Sequence, residues 1–226
     1  MRQISVVEDP GAAVEERLSA VAEAGGHLVL TGGSTPRSAY ALAAERDADW
    51  SRATVWFSDE RCVPPDDENS NFGMANRALL SRLSRPPRVM RIQGELGFEA
   101  AAGAYDALLR EHLGPRPHFD YILLGVGPDG HVASLFPGKP ELEETARLAA
   151  PVPIAGLDPQ VPRVTLTFPV LNGAREVDVL VAGQDKAQAI ALGFGDSPDA
   201  EAPASRVRPE DGSLFVFLDE PAASAL

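Results

Sequence analysis

Residues 119–125 (FDYILLG) are the stretch of sequence that decides the fold class. A largely apolar run of this kind is typical of a strand buried on both faces of a parallel sheet. On either side of it, short apolar runs alternate with helical patterns almost to the ends of the chain. This alternation predicts an α/β fold with a mainly parallel open sheet and helices on both faces. The other predicted strands are 4–7, 27–31, 53–58, 89–92, 147–151, 163–167, 177–182 and 214–218, and the predicted helices end near 24 and 45 or cover 71–83, 97–113 and 185–192.

The chain shows no internal repeat and no linker that would separate two domains, so we expect a single domain over residues 1–226. Residues 195–209 (GDSPDAEAPASRVRP) are polar and rich in proline, which predicts a surface loop or a lid rather than a boundary. The last residues, 220–226, are predicted to form a short frayed tail.

Composition and charge exclude several classes of function. A formal net charge of −13 argues against nucleic acid, because phosphate contacts need clustered Lys and Arg, but it allows a small phosphorylated substrate. Cys62 is the single cysteine, and the four histidines lack metal-ligand spacing, so we predict no metal site. Neither a signal peptide nor an apolar run of the ~20 residues of a membrane span is visible. We expect a cytoplasmic protein that binds neither nucleic acid nor a membrane.

Three loops that follow predicted strands carry residues suited to binding or catalysis, and ligands of open α/β sheets gather at such strand ends. In the first loop, residues 31–36 (TGGSTP), Gly32 and Gly33 let the backbone approach a ligand closely. Ser34 and Thr35 are able to cap the following helix. Backbone N–H groups and hydroxyls at a helix N-terminus suit a phosphate. The alternative is a plain capped turn.

The second loop, residues 58–64 (SDERCVP), releases two carboxylates and a guanidinium from a strand end. Burial of Asp59, Glu60 and Arg61 is costly unless they pair or bind something. Asparagines follow within residues 69–71 (NSN), where they are able to cap a helix. The alternative is a solvated charged loop without a function.

The third loop, residues 125–137 (GVGPDGHVASLFP), follows the strongest predicted strand. Its glycines permit a tight turn, with Gly130 in a conformation closed to other residues. That turn projects His131 over the strand ends, with Asp129 close enough to fix the tautomer of the imidazole. The spacing GxGxxG also matches a dinucleotide-binding motif, but FPG at 136–138 interrupts the helix that such a site requires. We reject a nucleotide site.

Together the three loops resemble the 6-phosphogluconolactonase family, which lies within a wider group that includes glucosamine-6-phosphate deaminase. The similarity covers nearly the whole chain, and the 125–137 motif is its most specific part. The resemblance implies a fold similar to that of the sugar-phosphate isomerase, deaminase and CoA-transferase-like proteins. Deaminases of this group typically continue from Gly-His into IAFNEP, whereas this chain reads VASLFP, with Phe136 in place of the Glu. The lactonase is therefore favoured.

The resemblance implies hydrolysis of 6-phospho-D-glucono-1,5-lactone to 6-phosphogluconate in the oxidative pentose phosphate pathway, with no cofactor. His131 would be the general base, oriented by Asp129, and an oxyanion would be stabilised by Arg61 or by backbone N–H groups of residues 127–130. The residues implied to bind the substrate are Gly32, Gly33, Ser34, Thr35, Asp59, Asn71, Gly130, Arg163 and Lys186.

Two of these assignments depend on shorter matches. Residues 162–167 (PRVTLT) resemble a family strand whose Arg faces the substrate, although residues 157–161 (LDPQV) depart from the family's lysine and proline run. Residues 183–186 (GQDK) resemble the family's Gly-x-x-Lys at a strand end, which implies that Lys186 completes the phosphate site. The alternative for Lys186 is a lysine in the first turn of a surface helix. We expect a monomer or a weak homodimer.

Two rival functions stay open. A glucosamine-6-phosphate deaminase or isomerase would use the same scaffold, and ammonia release from glucosamine 6-phosphate would identify it. An effector-binding domain of a sugar-sensing regulator would need a DNA-binding helix-turn-helix, for which the chain offers neither room nor a basic segment.

Overall fold

The computed structural model describes residues 1–46 and 48–226. The strands are β1 (Arg2–Val6), β2 (His27–Leu30), β3 (Thr54–Phe57), β4 (Asp59–Arg61), β5 (Arg88–Val89), β6 (Tyr121–Leu124), β7 (Ala149–Val152), β8 (Arg163–Leu166), β9 (Glu176–Val181) and β10 (Ser213–Leu218). The helices are α1 (Pro10–Ala24), α2 (Ser34–Glu45), α3 (Asn71–Ala78), α4 (Phe98–Leu113), α5 (Phe168–Asn172), α6 (Ala187–Phe194) and α7 (Glu220–Ala223).

The main sheet has seven strands in the order β1-β10-β9-β6-β2-β3-β5, and all neighbours are parallel. Its middle strand, β6, comes from the apolar stretch that predicted the fold class and is buried at all four positions. Because the strands are parallel, their carboxyl ends meet at one edge of the sheet, where loops of distant sequence come together.

Helices cover both faces of this sheet. On one face, Arg17 of α1 contacts Asp178 of β9, which also accepts a hydrogen bond from the Tyr121 hydroxyl at 2.8 Å. Trp56 of β3 points to the opposite face by strand alternation and register, and its ring contacts Tyr105 of α4. The α/β prediction with helices on both faces is confirmed.

Local sequence determines where α1 begins and where it ends. The Asp9 side chain accepts hydrogen bonds from the N–H groups of Gly11 and Ala12 at 2.8 and 3.2 Å, and Pro10 occupies the first turn. The helix ends at Gly25, which takes a left-handed conformation with φ of 87°. The predicted helix to residue 24 therefore matches the structure.

A second, antiparallel sheet has the order β4-β8-β7. We predicted residues 58–64 as a loop, which is wrong at Asp59–Arg61, because these residues form β4 and pair with β8. A strand of charged residues is stable here because its carboxylates are satisfied locally. Glu60, for example, accepts hydrogen bonds from the N–H groups of Asn71 and Phe72 at 2.7 and 2.8 Å.

Three other segments differ from the prediction. The predicted helix 71–83 stops at Ala78, and a short 3-10 turn follows. In the predicted surface loop 195–209, the residues 202–205 are buried and partly form a 3-10 turn. The predicted frayed tail contains helix α7, because the Asp219 side chain caps it by accepting from the N–H of Ala222 at 2.8 Å. In the part of the chain that the structure describes, no helix is long and apolar enough to cross a membrane.

Candidate active site

A cavity of about 430 Å³ lies at the carboxyl ends of β2, β6 and β9, with β4 and β8 forming another wall. It brings together most of the residues that the sequence singled out, namely Gly32, Gly33, Ser34, Thr35, Asp59, Arg61, Asn71, His131, Arg163 and Lys186. Asp129 and Gly130 do not line the cavity. They precede His131 in the same loop, and Asp129 contacts its imidazole. The three predicted loops and the two shorter motifs therefore meet in one place.

His131 and Asp129 form a close pair at this cavity. Nδ1 of His131 lies 2.6 Å from Oδ1 of Asp129, and the same oxygen accepts a hydrogen bond from the His131 backbone N–H at 3.2 Å. Burial raises the pKa of Asp129, but its hydrogen bond to His131 and the charge of the imidazolium outweigh burial, so this pKa lies below its ordinary value. An ionised Asp129 favours a proton on Nδ1, which leaves Nε2 of His131 as the basic nitrogen.

The turn that carries this pair is closed by its own hydrogen bonds. The N–H of Gly127 donates to the His131 carbonyl at 2.9 Å, and the N–H of Gly130 donates to the Gly127 carbonyl at 3.0 Å. Gly130 has φ of 83°, as the sequence predicted. Because both N–H groups are already used, the prediction that backbone N–H groups of residues 127–130 stabilise an oxyanion is wrong for Gly127 and Gly130.

Gly127 packs directly against the imidazole. A Cβ atom added at this position would overlap Cε1 and Nδ1 of His131 and would also press on a carboxylate oxygen of Asp129. Only glycine therefore allows the turn and the His131–Asp129 pair to occupy the same space.

Phe136 separates the imidazole from a guanidinium. Its ring centroid lies 4.5 Å from that of His131, with an angle of 42° between the ring planes, and 5.2 Å from Cζ of Arg163. Phe136 is buried, so this side of the cavity is apolar where the deaminase motif has a carboxylate. The ring restricts both neighbours through van der Waals and cation–π contact.

Arg61 of β4 and Arg163 of β8 bring two positive charges to the cavity. Nη1 of Arg61 donates to the Asn69 carbonyl at 2.8 Å, and Nη2 of Arg163 donates to the carbonyls of Leu157 and Pro159 at 2.9 and 3.2 Å. Among the described residues, nothing accepts a hydrogen bond from the buried Nε atom of either side chain. Such donors suit an anionic ligand.

The surroundings of Arg163 destabilise its positive charge. Burial lowers the pKa of Arg163, the nearby Asp59 partly opposes this effect, and Arg61 adds to the lowering. An arginine nevertheless keeps its proton at every ordinary pH. A buried cation beside a second cation is therefore stabilised when an anion binds between them.

The first loop leaves the N-terminus of α2 open. The cap residue is Gly33, with φ of 111°, and no side chain makes a capping hydrogen bond there. The prediction that Ser34 and Thr35 cap this helix is wrong, because the helix begins at Ser34 and both residues lie in its first turn. Uncapped N–H groups and two hydroxyls thus face a shared cavity, an arrangement that suits a phosphate.

Lys186 lines the same cavity as Ser34, at the carboxyl end of β9. It is the last residue of a 3-10 turn, Gln184–Lys186, that leads directly into α6, so its position stays close to the first-turn lysine of the alternative. Its side chain is 23% exposed, and Nζ lies 2.7 Å from a carboxylate oxygen of Asp185. A hydrogen bond to Lys186 lowers the pKa of Asp185, so the ammonium already has one anionic partner.

Asp59 joins the second and third loops through buried hydrogen bonds. It accepts from the hydroxyl of Ser134 at 2.6 Å, from that of Ser58 at 3.1 Å and from the side-chain amide of Asn71 at 3.0 Å. The Ser134 N–H in turn donates to the Thr165 hydroxyl of β8 at 3.1 Å. Sequence reasoning missed Ser134, although its hydroxyl inside the 125–137 motif was the available signal.

Glu60 is a second residue whose role was not foreseen. Glu60 belongs to β4, and its side chain is buried next to the start of α3. It accepts hydrogen bonds from the N–H groups of Arg61, Asn71 and Phe72. Burial raises the pKa of Glu60 in spite of these three hydrogen bonds, and the charge of Asp59 contributes to the rise. The carboxylate fixes the start of α3 and, with it, the Asn71 side chain.

Within residues 1–46 and 48–226, no three His, Cys, Asp or Glu side chains are close enough together to hold a metal ion. The ionisable groups that line the cavity are instead one imidazole, three cationic side chains and the carboxylates of Asp59 and Asp158, with the Asp129 carboxylate in contact with the imidazole. This combination offers a base, anion-binding groups and an apolar wall, which are the parts that acyl transfer to water requires.

Comparison with known proteins supports this fold. Residues 4–216 match the model of the family described as glucosamine-6-phosphate isomerases/6-phosphogluconolactonase, and the chain belongs to this family. The 6-phosphogluconolactonase of Streptomyces coelicolor (strain ATCC BAA-471 / A3(2) / M145) is 40% identical over 214 residues, which cover 88% of this chain and 81% of that protein. The Homo sapiens 6-phosphogluconolactonase is 42% identical over 189 residues, or 82% of this chain and 73% of that protein.

Solved structures of the same family also resemble this chain. The 6-phosphogluconolactonase from Trypanosoma cruzi has a TM-score of 0.89 at 27% identity, with 100% of this chain and 97% of that chain covered. A monomeric glucosamine-6-phosphate deaminase has a TM-score of 0.84 at 20% identity, which shows the fold alone. Within the family, the curated relatives therefore favour the lactonase over the deaminase.

Proposed function

We propose that this protein hydrolyses 6-phospho-D-glucono-1,5-lactone to 6-phosphogluconate. The observation that carries the proposal is the His131–Asp129 pair, held at 2.6 Å beside a cavity that also contains Arg61, Arg163 and the open N-terminus of α2. A base, cationic groups and a phosphate-binding loop within one cavity match the parts of a phosphorylated lactone.

His131 acts as general base in this proposal. Nε2 removes a proton from water as the water oxygen attacks the lactone carbonyl carbon, and a tetrahedral oxyanion forms. The imidazolium then donates that proton to the ring oxygen as the bond between this oxygen and the carbonyl carbon breaks. The acid product loses its own proton to solvent, so His131 returns to its initial state. Asp129 stabilises the imidazolium and fixes the tautomer.

Arg61 stabilises the oxyanion in this proposal, and the N–H of Asp129 is the backbone alternative, because the N–H groups of Gly127 and Gly130 already donate hydrogen bonds. The phosphate binds at residues 32–35 and Lys186, and Arg163 binds the substrate beside it. Asp59 and Asn71 complete the substrate contacts, while Gly130 shapes the turn. The roles of all these residues are part of the proposal.

The residue at position 136 favours the lactonase over the rival deaminase function. Phe136 is a buried aromatic ring in contact with His131, and it supplies no acid for sugar ring opening. We further propose that residues 1–226 act as one domain, as a monomer or weak homodimer in the cytoplasm, within the oxidative pentose phosphate pathway and without nucleic-acid or membrane partners.

The test is proton release from freshly made 6-phospho-D-glucono-1,5-lactone at constant pH, with and without the protein. Catalysed release that survives EDTA, together with no ammonia from glucosamine 6-phosphate, is the expected result. Turnover that is lost on chelation and restored by zinc would contradict the metal-free mechanism, and a rate equal to the uncatalysed one would contradict the function.

A further inference from the structure

A second cavity adjoins the candidate active site. It measures about 520 Å³ and lies between α2 and α3. Ser34 lines both cavities, so the two share a rim at the N-terminus of α2. We call the second cavity the α2–α3 pocket, and its lining consists of Ser34, Arg37, Ser38, Ala41, Glu68, Met74, Arg77 and Ala78.

Helical spacing brings one arginine to the pocket from each helix. On α2 the lining residues follow the i, i+3, i+4, i+7 pattern of one helix face, which includes Arg37. On α3 the lining residues 74, 77 and 78 follow the same pattern and include Arg77. Two guanidinium groups therefore reach one concave surface from its two opposite walls.

Neither arginine is neutralised within the described chain. Arg37 and Arg77 are exposed, and neither side chain makes a hydrogen bond or an ion pair with residues 1–46 or 48–226. Glu68 lines the pocket but lies beyond ion-pair distance of both. In contrast, Arg17, Arg91 and Arg110 each contact a carboxylate at 2.6 to 2.7 Å.

Unpaired cations at this position matter because the protein as a whole repels anions. With a formal net charge of −13, the long-range field is unfavourable for a dianionic phosphate ester. A local positive surface next to the cavity entrance counters that field and raises the concentration of such an anion beside the site. The N-terminus of α2 adds its partial positive charge on the same rim.

We propose that the α2–α3 pocket is an outer anion-binding site, which takes the phosphate of an incoming phosphorylated sugar lactone before the lactone enters the catalytic cavity. This inference deepens the proposed function and rests on it. The pocket would accept phosphate monoesters in general, because two exposed guanidinium groups recognise the charge and the oxygens of the phosphate rather than the sugar.

The experiment compares single-charge variants at different places. Arg37→Gln and Arg77→Gln each remove one charge from the pocket, and Arg116→Gln is the matched control. Arg116 is an exposed arginine between α4 and β6, at the amino ends of the parallel strands and therefore at the opposite edge of the sheet. Each variant is assayed at low and at high ionic strength, on the phosphorylated lactone and on unphosphorylated gluconolactone.

We expect Arg37→Gln and Arg77→Gln each to lower kcat/KM on the phosphorylated lactone by about three- to tenfold at low salt, with the loss arising in KM. The loss should shrink at high salt, because screening removes the attraction of exposed charges. Unphosphorylated gluconolactone and the Arg116→Gln variant should show no comparable change. Losses equal to that of the control, undiminished by salt, or equal on both lactones would overturn the outer site.

A binding measurement separates this inference from the proposed function. In an NMR titration with inorganic phosphate, backbone amides of residues 74–78 should shift in the wild type and should no longer shift in the Arg37→Gln/Arg77→Gln double variant. Amides of residues 32–35 should respond in both proteins. Absence of shifts at 74–78 in the wild type would refute the outer site even in an active enzyme, whereas an inactive wild type that shows them would refute the lactonase alone.

Discussion

Arg61 and Arg163 lie directly opposite each other on the antiparallel strands β4 and β8, with their Cα atoms in register. Like charges in such a cross-strand pair destabilise a sheet unless something compensates for them. Both Nε atoms are buried and have no partner among the described residues. An anionic ligand can therefore reduce the repulsion between the two positive charges and accept hydrogen bonds from the two Nε atoms.

This arrangement predicts different kinetic effects for the two arginines. Arg61→Gln should lower kcat by about 10²-fold or more, as expected for the loss of an oxyanion donor. Arg163→Gln should mainly raise KM, because its proposed contact is with bound substrate in both ground and transition states. Steady-state kinetics of both variants test this, and thermal unfolding should show neither to be strongly destabilised, since each relieves a repulsion. Identical kinetic losses in the two variants would contradict the separate roles.

His131→Ala should lose at least ~10²-fold in kcat while it stays folded, because a positioned base is removed. The control is His118→Ala, since His118 is exposed and its ring contacts the Gly173 carbonyl at the other edge of the sheet. Circular dichroism and kinetics on the same samples provide the measurement. Near-normal turnover of a folded His131→Ala protein would exclude the general-base mechanism.

Gly127→Ala should reduce activity about as strongly as loss of His131, because the new methyl group takes the space of the imidazole ring. A matched glycine is available in Gly103, which is exposed on α4 and has no atom within 4 Å of its added Cβ. Gly103→Ala should keep full activity and gain about 0.5–1 kcal/mol in free energy of unfolding from helix propensity. Full activity in Gly127→Ala would show that His131 can move without consequence.

Lys186→Ala should lower kcat/KM on the phosphorylated lactone, while the slow reaction of unphosphorylated gluconolactone changes little. Removing the ammonium deletes a charge from the part of the cavity where we propose that the phosphate binds, and it leaves the His131–Asp129 pair intact. Lys139→Ala is the control, since Lys139 is the other lysine and does not line this cavity. Equal losses on both lactones would withdraw Lys186 from the phosphate site.

Asp129→Asn should reveal a pH-dependent contribution to stability. The folded-state pKa of Asp129 is lowered, so its carboxylate stabilises the fold above the unfolded pKa of about 3.9, and this contribution is lost as pH falls through the folded value. The wild type should exceed the variant by about 1 kcal/mol in free energy of unfolding at pH 6. Urea unfolding should show that this difference shrinks as the pH is lowered below about 4.

The control for that comparison is Asp66→Asn, because Asp66 is exposed and makes no hydrogen bond within the described chain. Its stability difference from the wild type should stay near zero across the same pH range. A difference for Asp129→Asn that is constant with pH would show that the His131 contact does not lower the carboxyl pKa.

The sequence predicted the parts of the site that local chemistry determines. The apolar run that became β6 and the glycine turn after it fix where His131 and Asp129 lie, because neighbours in sequence control both. The carboxyl-end rule for parallel strands then predicted that the first loop lies at the same edge of the sheet without any knowledge of the strand order, whereas Lys186 was assigned from the resemblance of residues 183–186 to the family.

Features that depend on tertiary register could not be predicted in this way. Strand β4 consists of Asp59, Glu60 and Arg61, which have low strand propensity, and it exists because of pairing with β8 and hydrogen bonds from α3. The opposition of Arg61 to Arg163 depends on that register, as does the contact of Ser134 with Asp59 across 75 positions. No short sequence window contains either relationship.

The pairing of β1 with β10 at the edge of the main sheet affects how the chain folds during synthesis. Strand β1 pairs with β10, so Arg2 is in register with Leu214 and Val6 with Leu218. During synthesis β1 therefore emerges from the ribosome long before β10, and its hydrogen bonds form only after residues 213–218 have emerged. A nascent chain arrested before residue 213 would expose the edges of both β1 and β9, two templates for mispairing that β10 covers when it pairs with both strands.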